Sequence, residues 1–378
     1  MITERPLAKR DGARQGDARP AAPSDWLRLS WLIETSRRVY TRWGGESLRA
    51  LLAEPGAVIW HQGRALRGAV LLDPRGGAVA EARLLVVHDD ADRSVFAAEA
   101  LSLAESRLAR RGTRWVSFTS PEGWLRELLA ARGYVLKDRV ITYVRRGLDL
   151  RARGNTDVAV EEALPEDVPG MVAVDAAAFE PFWRLEREAM RRALDEEAYV
   201  LVARGSVRAG PRAGPGGAWE QAPLPNPPPG YGERAKSSRA YARDLDSLGA
   251  LPHDSVAPLP EYREGERGAV VGYLTADVWE ERAHVVRLAV VPEWQGRGVA
   301  TRLMADLFRR LGANVPPSRR SDGDLREEVV EAAVREVSLN TQETNLRSRR
   351  LYEALGFRLT GGVEEVWARE VAPAAAAV

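Results

Sequence analysis

The sequence of 378 residues contains no cysteine. A chain without cysteine forms no disulfide bond, offers no thiolate to a metal ion and has no cysteine nucleophile. Any catalysis by this chain must therefore proceed without a cysteinyl intermediate. Lysine is almost as scarce, since only Lys9, Lys137 and Lys236 occur among 55 basic residues. We attribute this arginine bias to genome composition or heat adaptation, and it identifies no substrate.

Long apolar runs and an excess of charge of one sign are also absent. No stretch approaches the ~20 apolar residues of a membrane-spanning helix, and residues 1–23 are charged, unlike an export signal. The formal net charge is +1, which gives no reason to expect a nucleic acid or a membrane as partner. The content of 45% hydrophobic and 29% charged residues is typical of a globular protein, and the length suggests two or three domains. We expect a cytoplasmic location.

The sequence does contain a strand, a loop and a helix between His284 and Leu311. The apolar, β-branched run His284–Val291 predicts a buried strand, which Pro292 ends because proline cannot donate to a strand ladder. From Val299 to Leu311 apolar residues recur at helical spacing. The segment Gln295–Ala300, QGRGVA, therefore connects the end of a strand to the start of a helix.

This connection suits an anion. The first N–H groups of a helix have no partner inside it and lie at the positive end of the helix dipole. Gly296 and Gly298 have no side chain that would keep a phosphate away, and Ala300 keeps the first helical turn small. The pattern is neither a Walker loop nor a dinucleotide-binding GxGxxG. The alternative is a glycine-bearing turn that binds no ligand.

A second segment, EVSLNTQETNLRSRRLYEALGF from Glu336 to Phe357, predicts another strand and a helix that ends at Gly356. Together the two segments resemble the GNAT superfamily of acetyl-CoA-dependent N-acetyltransferases. The family's loop motif, Q/R-x-x-G-x-G/A, matches Gln295–Ala300, and the family's next helix ends in an LYxxxGF-like run. The resemblance covers about half of the chain, from Val158 to Arg369.

The resemblance implies direct transfer of an acetyl group from acetyl-CoA to an amine, with both substrates bound at once and without a metal ion. It implies that the loop holds the pyrophosphate of coenzyme A and that backbone N–H groups of the preceding strand hold the thioester carbonyl. It also places a cofactor-facing asparagine at the start of the second helix. The cofactor-binding residues carried over in this way are Leu288, Ala289, Val290, Gln295, Gly296, Arg297, Gly298, Val299, Ala300, Thr301 and Asn345.

The resemblance also implies two catalytic residues. Tyr352 lies where many members have a general acid for the leaving thiolate, although a tyrosine in this position also suits a hydrophobic core. His284 lies where the histone-acetyltransferase branch has a base, although a lone histidine on an apolar strand is often structural. Glu280 and Glu281 are further candidate bases. Asn340 stands where the ribosomal-protein alanine acetyltransferases have a glutamate base, which disfavours that substrate.

The first half of the chain parallels the second half. The segment WLRELLAARGYVLKDRVITYVR aligns with RRLYEALGFRLTGGVEEVWAR, which indicates an internal repeat. Aligning the earlier strands of the two halves at Arg83 and Arg287 places His88–Asp92, HDDAD, over the phosphate loop, and its three carboxylates would repel a pyrophosphate. The first half is therefore interpreted as a degenerate domain, in a tandem layout similar to mycothiol-synthase-like enzymes. Whether it shapes the acceptor cleft or serves only as a scaffold stays open.

The expected fold is α/β, with two tandem GNAT-like domains that each have a mixed central sheet flanked by helices. The expected ranges are a disordered tail at 1–25, the degenerate domain at 26–150, the catalytic domain at 158–370 with a disordered loop insertion at 204–267, and a tail at 371–378. A second insertion is expected at Asn314–Asp324. Within the first domain, the patterns predict a helix near Ser36–Ala53 and another that Ser120 and Pro121 open.

Three functions remain under consideration. The favoured one is an N-acetyltransferase that acts on a small-molecule or peptide amine. The others are acetylation of a protein N-terminus and a non-catalytic module that binds acyl-CoA. Three aromatic residues are candidates for lining the site of the amine acceptor, or else belong to the core: Phe179, Phe182 and Trp183. Neither the acceptor nor the oligomeric state is indicated by the sequence.

Overall fold

In the computed structural model, both halves of the chain contribute strands to one mixed β-sheet, against which the helices pack. The structure describes residues 16–42, 48–74, 77–205, 268–313 and 333–371. This architecture confirms the predicted α/β class. No helix in the described part of the chain has the length and apolar character needed to cross a bilayer.

The strands of the first half are β1 (Asp17–Pro20), β2 (Arg38–Thr41), β3 (Gly56–Gln62), β4 (Ala65–Asp73), β5 (Val79–Val87), β6 (Trp115–Thr119) and β7 (Val135–Arg146). Those of the second half are β8 (Ala159–Glu162), β9 (Tyr199–Gly205), β10 (Ala269–Trp279), β11 (Arg282–Val290), β12 (Glu336–Gln342) and β13 (Arg358–Glu370). The helices are α1 (Trp26–Thr35), α2 (Arg93–Phe96), α3 (Ser102–Ala109), α4 (Gly123–Ala131), α5 (Val168–Ala178), α6 (Arg187–Glu196), α7 (Val299–Gly312) and α8 (Leu346–Ala354).

The two halves repeat one strand arrangement. The order across the sheet is β1-β3-β4-β5-β6-β13-β7-β12-β11-β10-β9-β8, with β2 also paired to β5. In each half, antiparallel strands lead to one parallel pair, β5 with β6 and β11 with β12. Arg83 lies in the bulge between β4 and β5, and Arg287 directly follows the bulge between β10 and β11. The extra residues of the two bulges are thus Arg83 and Val286, so the structure differs by one position from the alignment of Arg83 with Arg287.

The last strands of the two halves are exchanged at the centre of the sheet. Strand β7 of the first half lies between β12 and β13, and β13 of the second half lies between β6 and β7. Neither of the predicted ranges, 26–150 or 158–370, therefore contains all the strands that complete its part of the sheet. The junction is formed by continuous backbone hydrogen bonding across the two halves.

Helix α7 illustrates how the sequence pattern produces the core. Val299, Leu303, Leu307 and Leu311 recur every four residues, so they share one face of the helix, and all four side chains are buried. Complete burial of one such side chain stabilises the fold by about 1.5–3 kcal/mol. This face packs on β9, β10 and β11, and it holds the start of the helix beside the end of β11.

Several expectations for the first half were wrong. Residues 16–25, expected to be disordered, contain β1, which pairs with β3 because its backbone groups complete an exposed strand edge. In place of the helix expected near Ser36–Ala53, the described residues form β2, whose pairing with β5 outweighs local helix preference, and a short 3₁₀ helix at Ala50–Ala53. Ser120 does not cap a helix, since α4 begins at Gly123 with Glu122 in the N-cap position, and the N–H of Ser120 donates to the carbonyl of Glu365.

The expected insertions lie mostly outside the described residues. Of the range 204–267, only Arg204 and Gly205 are described, and both belong to β9 rather than to a loop. The insertion expected at Asn314–Asp324 lies outside the described residues. Of the expected tail, Val371 is described and is buried in the first-half core, where its N–H donates to the carbonyl of Arg114.

Candidate active site

The two parallel strands of the second half separate partway along their length. Strand β11 pairs with β12 from Arg282 to Val285 and with no strand of the described chain on that side from Val286 onward. It stays paired with β10 up to Val290, while β12 stays paired with β7 up to Gln342. The far part of β11 therefore has an open edge that faces the gap between the two strands.

The backbone N–H groups along β11 point alternately toward β10 and toward this gap. The N–H of Val291 donates to Val271 of β10, whereas the carbonyl of Val290 accepts a 2.8 Å hydrogen bond from the Gln295 side chain instead. In an antiparallel strand successive residues turn their N–H groups to opposite sides. The N–H groups of Leu288 and Val290 thus face the gap, and that of Ala289 faces β10.

The predicted phosphate loop lies directly beyond this edge. A 3₁₀ turn at Pro292–Trp294 is followed by Gly296 and Gly298, with φ of +74° and +77°, and α7 starts at Val299. Among the described residues, the N–H groups of positions 296–301 have no hydrogen-bond partner. The loop therefore presents a group of unpaired amides at the start of a 14-residue helix.

Side chains hold the loop from the inside. Gln295 donates to the carbonyl of Val290 and accepts from Arg347 of α8, so it joins the strand end to the next helix. Arg297 is exposed and lies over the Trp294 ring, 5.5 Å from its centroid. Asn345 caps α8, because its side-chain oxygen accepts a 3.1 Å hydrogen bond from the N–H of Ser348.

Tyr352 lies on α8, on the face of the sheet that α7 and α8 cover. It is buried, and its ring lies 6.0 Å from Tyr143 and 6.1 Å from Phe357. Burial raises the pKa of Tyr352 to about 12, and a hydrogen bond with Ser348 offsets part of this rise. The hydroxyl therefore keeps its proton at neutral pH.

His284 lies on the opposite face of the sheet. It pairs across the strands with Asp277 and Ser338, on the same face as Tyr273, whose hydroxyl contacts Asp175 of α5. The gap between β11 and β12 thus connects the face of the sheet that carries His284 with the face that carries Tyr352. Burial lowers the pKa of His284 below its ordinary value of 6.5, and the charge of Asp277 opposes this shift.

The hydrogen bonds of His284 indicate which ring nitrogen is free. Its Nδ1 lies 2.9 Å from Oγ of Ser338, and that hydroxyl donates to the carbonyl of Ala283 over 3.3 Å. Because the hydroxyl proton is used by Ala283, the oxygen accepts from a protonated Nδ1. Nε2 then carries the lone pair. The side-chain oxygen of Asn340 accepts a 2.8 Å hydrogen bond from the hydroxyl of Thr142.

The sequence patterns did not indicate a buried ion pair beside this strand. Arg287, the residue before Leu288, donates through Nε and Nη2 to the carboxylate of Asp175, at 2.9 and 3.0 Å. Asp175 is fully buried and also accepts from the hydroxyl of Tyr273. The signal was a single charged residue inside an apolar strand, which requires a buried partner.

The expected acceptor-wall aromatics divide between two environments. Phe182 is buried and packs on Val366 and Ala368 of β13, with its ring 5.9 Å from that of Trp115. Phe179 and Trp183 are only partly buried, and the guanidinium of Arg287 lies 3.7 Å from the centroid of Phe179. Phe182 is therefore a core residue, and the other two remain candidates for the wall.

In the first half, the matching strand edge and the matching helix start are both occupied. Strand β2 pairs with Leu84–Val87 of β5, the edge that matches the open edge of β11. The hydroxyl of Tyr40 in β2 donates to the carbonyl of Thr119 over 3.0 Å and accepts from its N–H over 3.1 Å. The carboxylate of Asp92 accepts from the first N–H groups of α2. The first half therefore fills both places with its own chain.

Comparisons with known proteins agree with this geometry. A family model described as the acetyltransferase (GNAT) domain matches residues 262–359, which include the open edge, the loop, His284 and Tyr352. The GCN5-related N-acetyltransferase from Kribbella flavida is similar in structure, with a TM-score of 0.51 at 13% identity, over 95% of this chain and 72% of that chain. No curated protein matches the sequence.

Two further solved structures are similar over nearly their whole length. One is the GCN5-related N-acetyltransferase from Sphaerobacter thermophilus, with 14% identity, a TM-score of 0.47 and coverage of 95% of this chain and 96% of that chain. The other is a tandem GNAT protein from the clavulanic acid biosynthesis pathway, with 16% identity, a TM-score of 0.46 and coverage of 95% and 99%. From the match of the family model to the strand, loop and helices of the site, we conclude that residues 262–359 of this chain form an acetyltransferase domain of the GNAT family.

Proposed function

We propose that this protein is an N-acetyltransferase that binds acetyl-CoA in its second half and transfers the acetyl group to a primary amine within a ternary complex. The observation that supports this most directly is the open edge of β11 followed by the unpaired amides of residues 296–301. An unpaired strand edge suits an extended amide-bearing chain, and a helix start suits a diphosphate. Acetyl-CoA has both.

The residues present fit this co-substrate. The amides of residues 296–301 would hold the diphosphate, and Gly296 leaves open space where a side chain would stand. The N–H groups of Leu288 and Val290 would bind the amide-bearing arm and the thioester carbonyl. When bound, acetyl-CoA supplies an activated acetyl group. No other part of the mechanism requires chemistry beyond that of the chain's own side chains.

His284 and Tyr352 would handle the protons. Nε2 of His284 would accept a proton from the attacking ammonium or from an intervening water, because the lowered pKa keeps the ring neutral near pH 7. Tyr352 would donate its hydroxyl proton to the leaving thiolate from the other face. Both assignments rest on position in the fold and on protonation state.

We also propose that the first half binds no acetyl-CoA. Its strand edge is occupied by β2, and its helix start is occupied by the carboxylate of Asp92. One chain would then bind one molecule of acetyl-CoA. Because β7 and β13 are exchanged, this stoichiometry has to be measured on the whole chain.

Calorimetry with acetyl-CoA, followed by a panel of amines with mass detection of products, tests the proposal. We expect one binding site per chain and an acetylated product with release of free thiol. Binding without any acetylated amine would favour the non-catalytic acyl-CoA-binding module. Acetylation only of peptides at their N-terminal amine would favour a protein N-terminal acetyltransferase. Absence of binding would refute the proposed function.

A further inference from the structure

A group of polar contacts joins β11 to the segment that follows α5. Arg287 of β11 holds Asp175 of α5 through two nitrogen atoms, and its Nη2 also donates to the carbonyl of Trp183. Asp175 in turn accepts a 2.7 Å hydrogen bond from the N–H of Leu185. We refer to Asp175 and Arg287 as the clasp, and to residues 179–185 as the acceptor loop.

Burial and several contacts hold the two side chains of the clasp in place. Asp175 is fully buried, and the Arg287 side chain is 16% exposed. The guanidinium is stacked on the Phe179 ring, and the carboxylate receives a third donor, the Tyr273 hydroxyl, at 2.5 Å. A forked arginine–carboxylate contact fixes both direction and distance, unlike a single hydrogen bond. The loop is therefore held by side-chain contacts at both Trp183 and Leu185.

The location of the clasp connects it to the reaction. Arg287 directly precedes Leu288, whose N–H faces the gap between β11 and β12, and its side chain lies on the same face as His284. The acceptor loop begins at Phe179, beside the guanidinium of Arg287, and its Phe182 packs on the exchanged strand β13. The clasp thus sets the distance between the edge that would hold the acyl group and the loop that would border the amine.

We propose that Asp175 and Arg287 are positioning residues that fix the acceptor loop against β11, and that they determine affinity for the amine acceptor without contributing to acetyl-CoA binding. This proposal rests on the function proposed above. It requires no contact between the clasp and acetyl-CoA. A displacement of the loop by about 1 Å is sufficient to lower activity markedly, because reacting groups must be held in a narrow range of geometries.

The chain offers a matched control. Arg204 of β9 and Asp167 form a second buried ion pair in the same half, at 2.6 Å and with side chains 4% and 6% exposed. Asp167→Asn breaks this pair as Asp175→Asn breaks the clasp, so loss of a buried charge pair affects both variants. Only Asp175→Asn removes a contact to the acceptor loop.

The test uses the full chain and an amine identified by the panel. For Asp175→Asn we expect KM for the amine to rise about tenfold or more, with the Kd of acetyl-CoA unchanged by calorimetry. Arg287→Lys, which retains the charge but not the fork, should show a smaller rise. Asp167→Asn should change neither quantity. An unchanged amine KM in Asp175→Asn, or an equal rise in Asp167→Asn, would overturn the proposal.

Hydrogen exchange gives a second measurement that needs no amine. In Asp175→Asn, the acceptor loop should exchange at least about tenfold faster than in the parent protein and in Asp167→Asn, whereas α7 should be unchanged. Equal exchange in the loop would contradict the clasp even if Asp175→Asn were otherwise folded. If no amine is acetylated by the parent protein, the proposed function fails, and the exchange result still decides whether the clasp holds the loop.

Discussion

The N–H of Asn155 donates a 3.0 Å hydrogen bond to the carbonyl of Gly298, the residue immediately before α7. The linker between the two halves therefore contacts the phosphate loop. Gly154 lies so close to the start of α7 that a Cβ on it would be 2.3 Å from the backbone nitrogen of Arg302 and 2.7 Å from the carbonyl oxygen of Gly298. The start of α7 is thus held partly by a segment that the sequence patterns identified only as a connection.

Gly154→Ala should weaken acetyl-CoA binding about tenfold, because the added methyl group must displace backbone at the start of α7. The matched control is Gly147→Ala in the same linker. Gly147 also has a positive φ, of +79°, but a Cβ there would meet only the Asp149 side chain, at 3.4 Å. Calorimetry should find weaker binding only for Gly154→Ala. Equal affinities for the two variants would contradict a role of the linker in the site.

Gly296→Ala should also weaken acetyl-CoA binding, because an alanine at φ of +74° destabilises the loop conformation by about 1–2 kcal/mol and adds a methyl group beside the amides. Gly63→Ala is the control, since Gly63 has φ of +64° and a Cβ there, as at Gly296, would meet nothing within 4 Å. Both variants should lose similar stability in urea. A loss of affinity in Gly63→Ala as well would show that strain alone is responsible.

Tyr352→Phe should lower kcat about 100-fold and leave the Kd of acetyl-CoA unchanged, because only the proton donor is removed from a packed ring. Tyr143→Phe provides the control on the same face, where the lost hydroxyl bonds to Glu353. Steady-state kinetics at saturating acetyl-CoA distinguish the two. An unchanged kcat in Tyr352→Phe would remove this residue from the mechanism.

The pH dependence of kcat/KM should report His284. A neutral base is required, and burial lowers the pKa of His284, so kcat/KM should rise through a pKa below 6.5 and then level off. This ascending limb should be lost in His284→Gln. His61, whose pKa is also lowered by burial but which lies in the first half, is the control, and His61→Gln should keep the limb. A limb that persists in His284→Gln would assign the base to another group.

Glu197 should make stability depend on pH. Burial, together with Asp277 and Glu196, raises the pKa of Glu197 from 4.5 to about 7, and its Oε2 has no partner among the described residues. The folded state then binds more protons than the unfolded state between these values, so the free energy of unfolding falls as pH rises from about 4.5 to 7.

Glu197→Gln should therefore be more stable than the parent protein at pH 8, by about 3 kcal/mol, and should lack this part of the pH dependence. Urea unfolding at pH 5 and pH 8 measures both quantities. Glu196→Gln, a change at the exposed neighbour, should keep the dependence largely intact. A parent protein whose stability is the same at both pH values would contradict the buried position of Glu197.

Local sequence was a good guide to the loop and to the helices beside it. Helix α7 was predicted from Val299 to Leu311 and ends at Gly312, and α8 begins after Asn345, as the second motif predicted. Helical periodicity, glycines at positive φ and an asparagine cap all act within a few residues, so they can be identified in a single stretch of sequence. The assignment of α/β class followed from the same local patterns.

The strand assignments around Arg38–Thr41 could not be obtained in this way. This short segment has no alternating pattern of its own, and it forms a strand only because the far edge of β5 is available to pair with it. The exchange of β7 and β13 has the same origin, since either strand satisfies the same antiparallel ladder. The partner of a strand edge depends on which unpaired backbone groups lie nearby in space.

By itself, then, the sequence determined that the second half carries a glycine-rich loop between a buried strand and a helix, together with the side chains expected beside it. Only the tertiary structure decided that the matching edge of the first half is filled by β2, that His284 and Tyr352 lie on opposite faces, and that Asp175 meets Arg287 across 112 positions. Such contacts join segments far apart in the chain, and they form because a buried polar group has to find its hydrogen-bond partners within the folded chain.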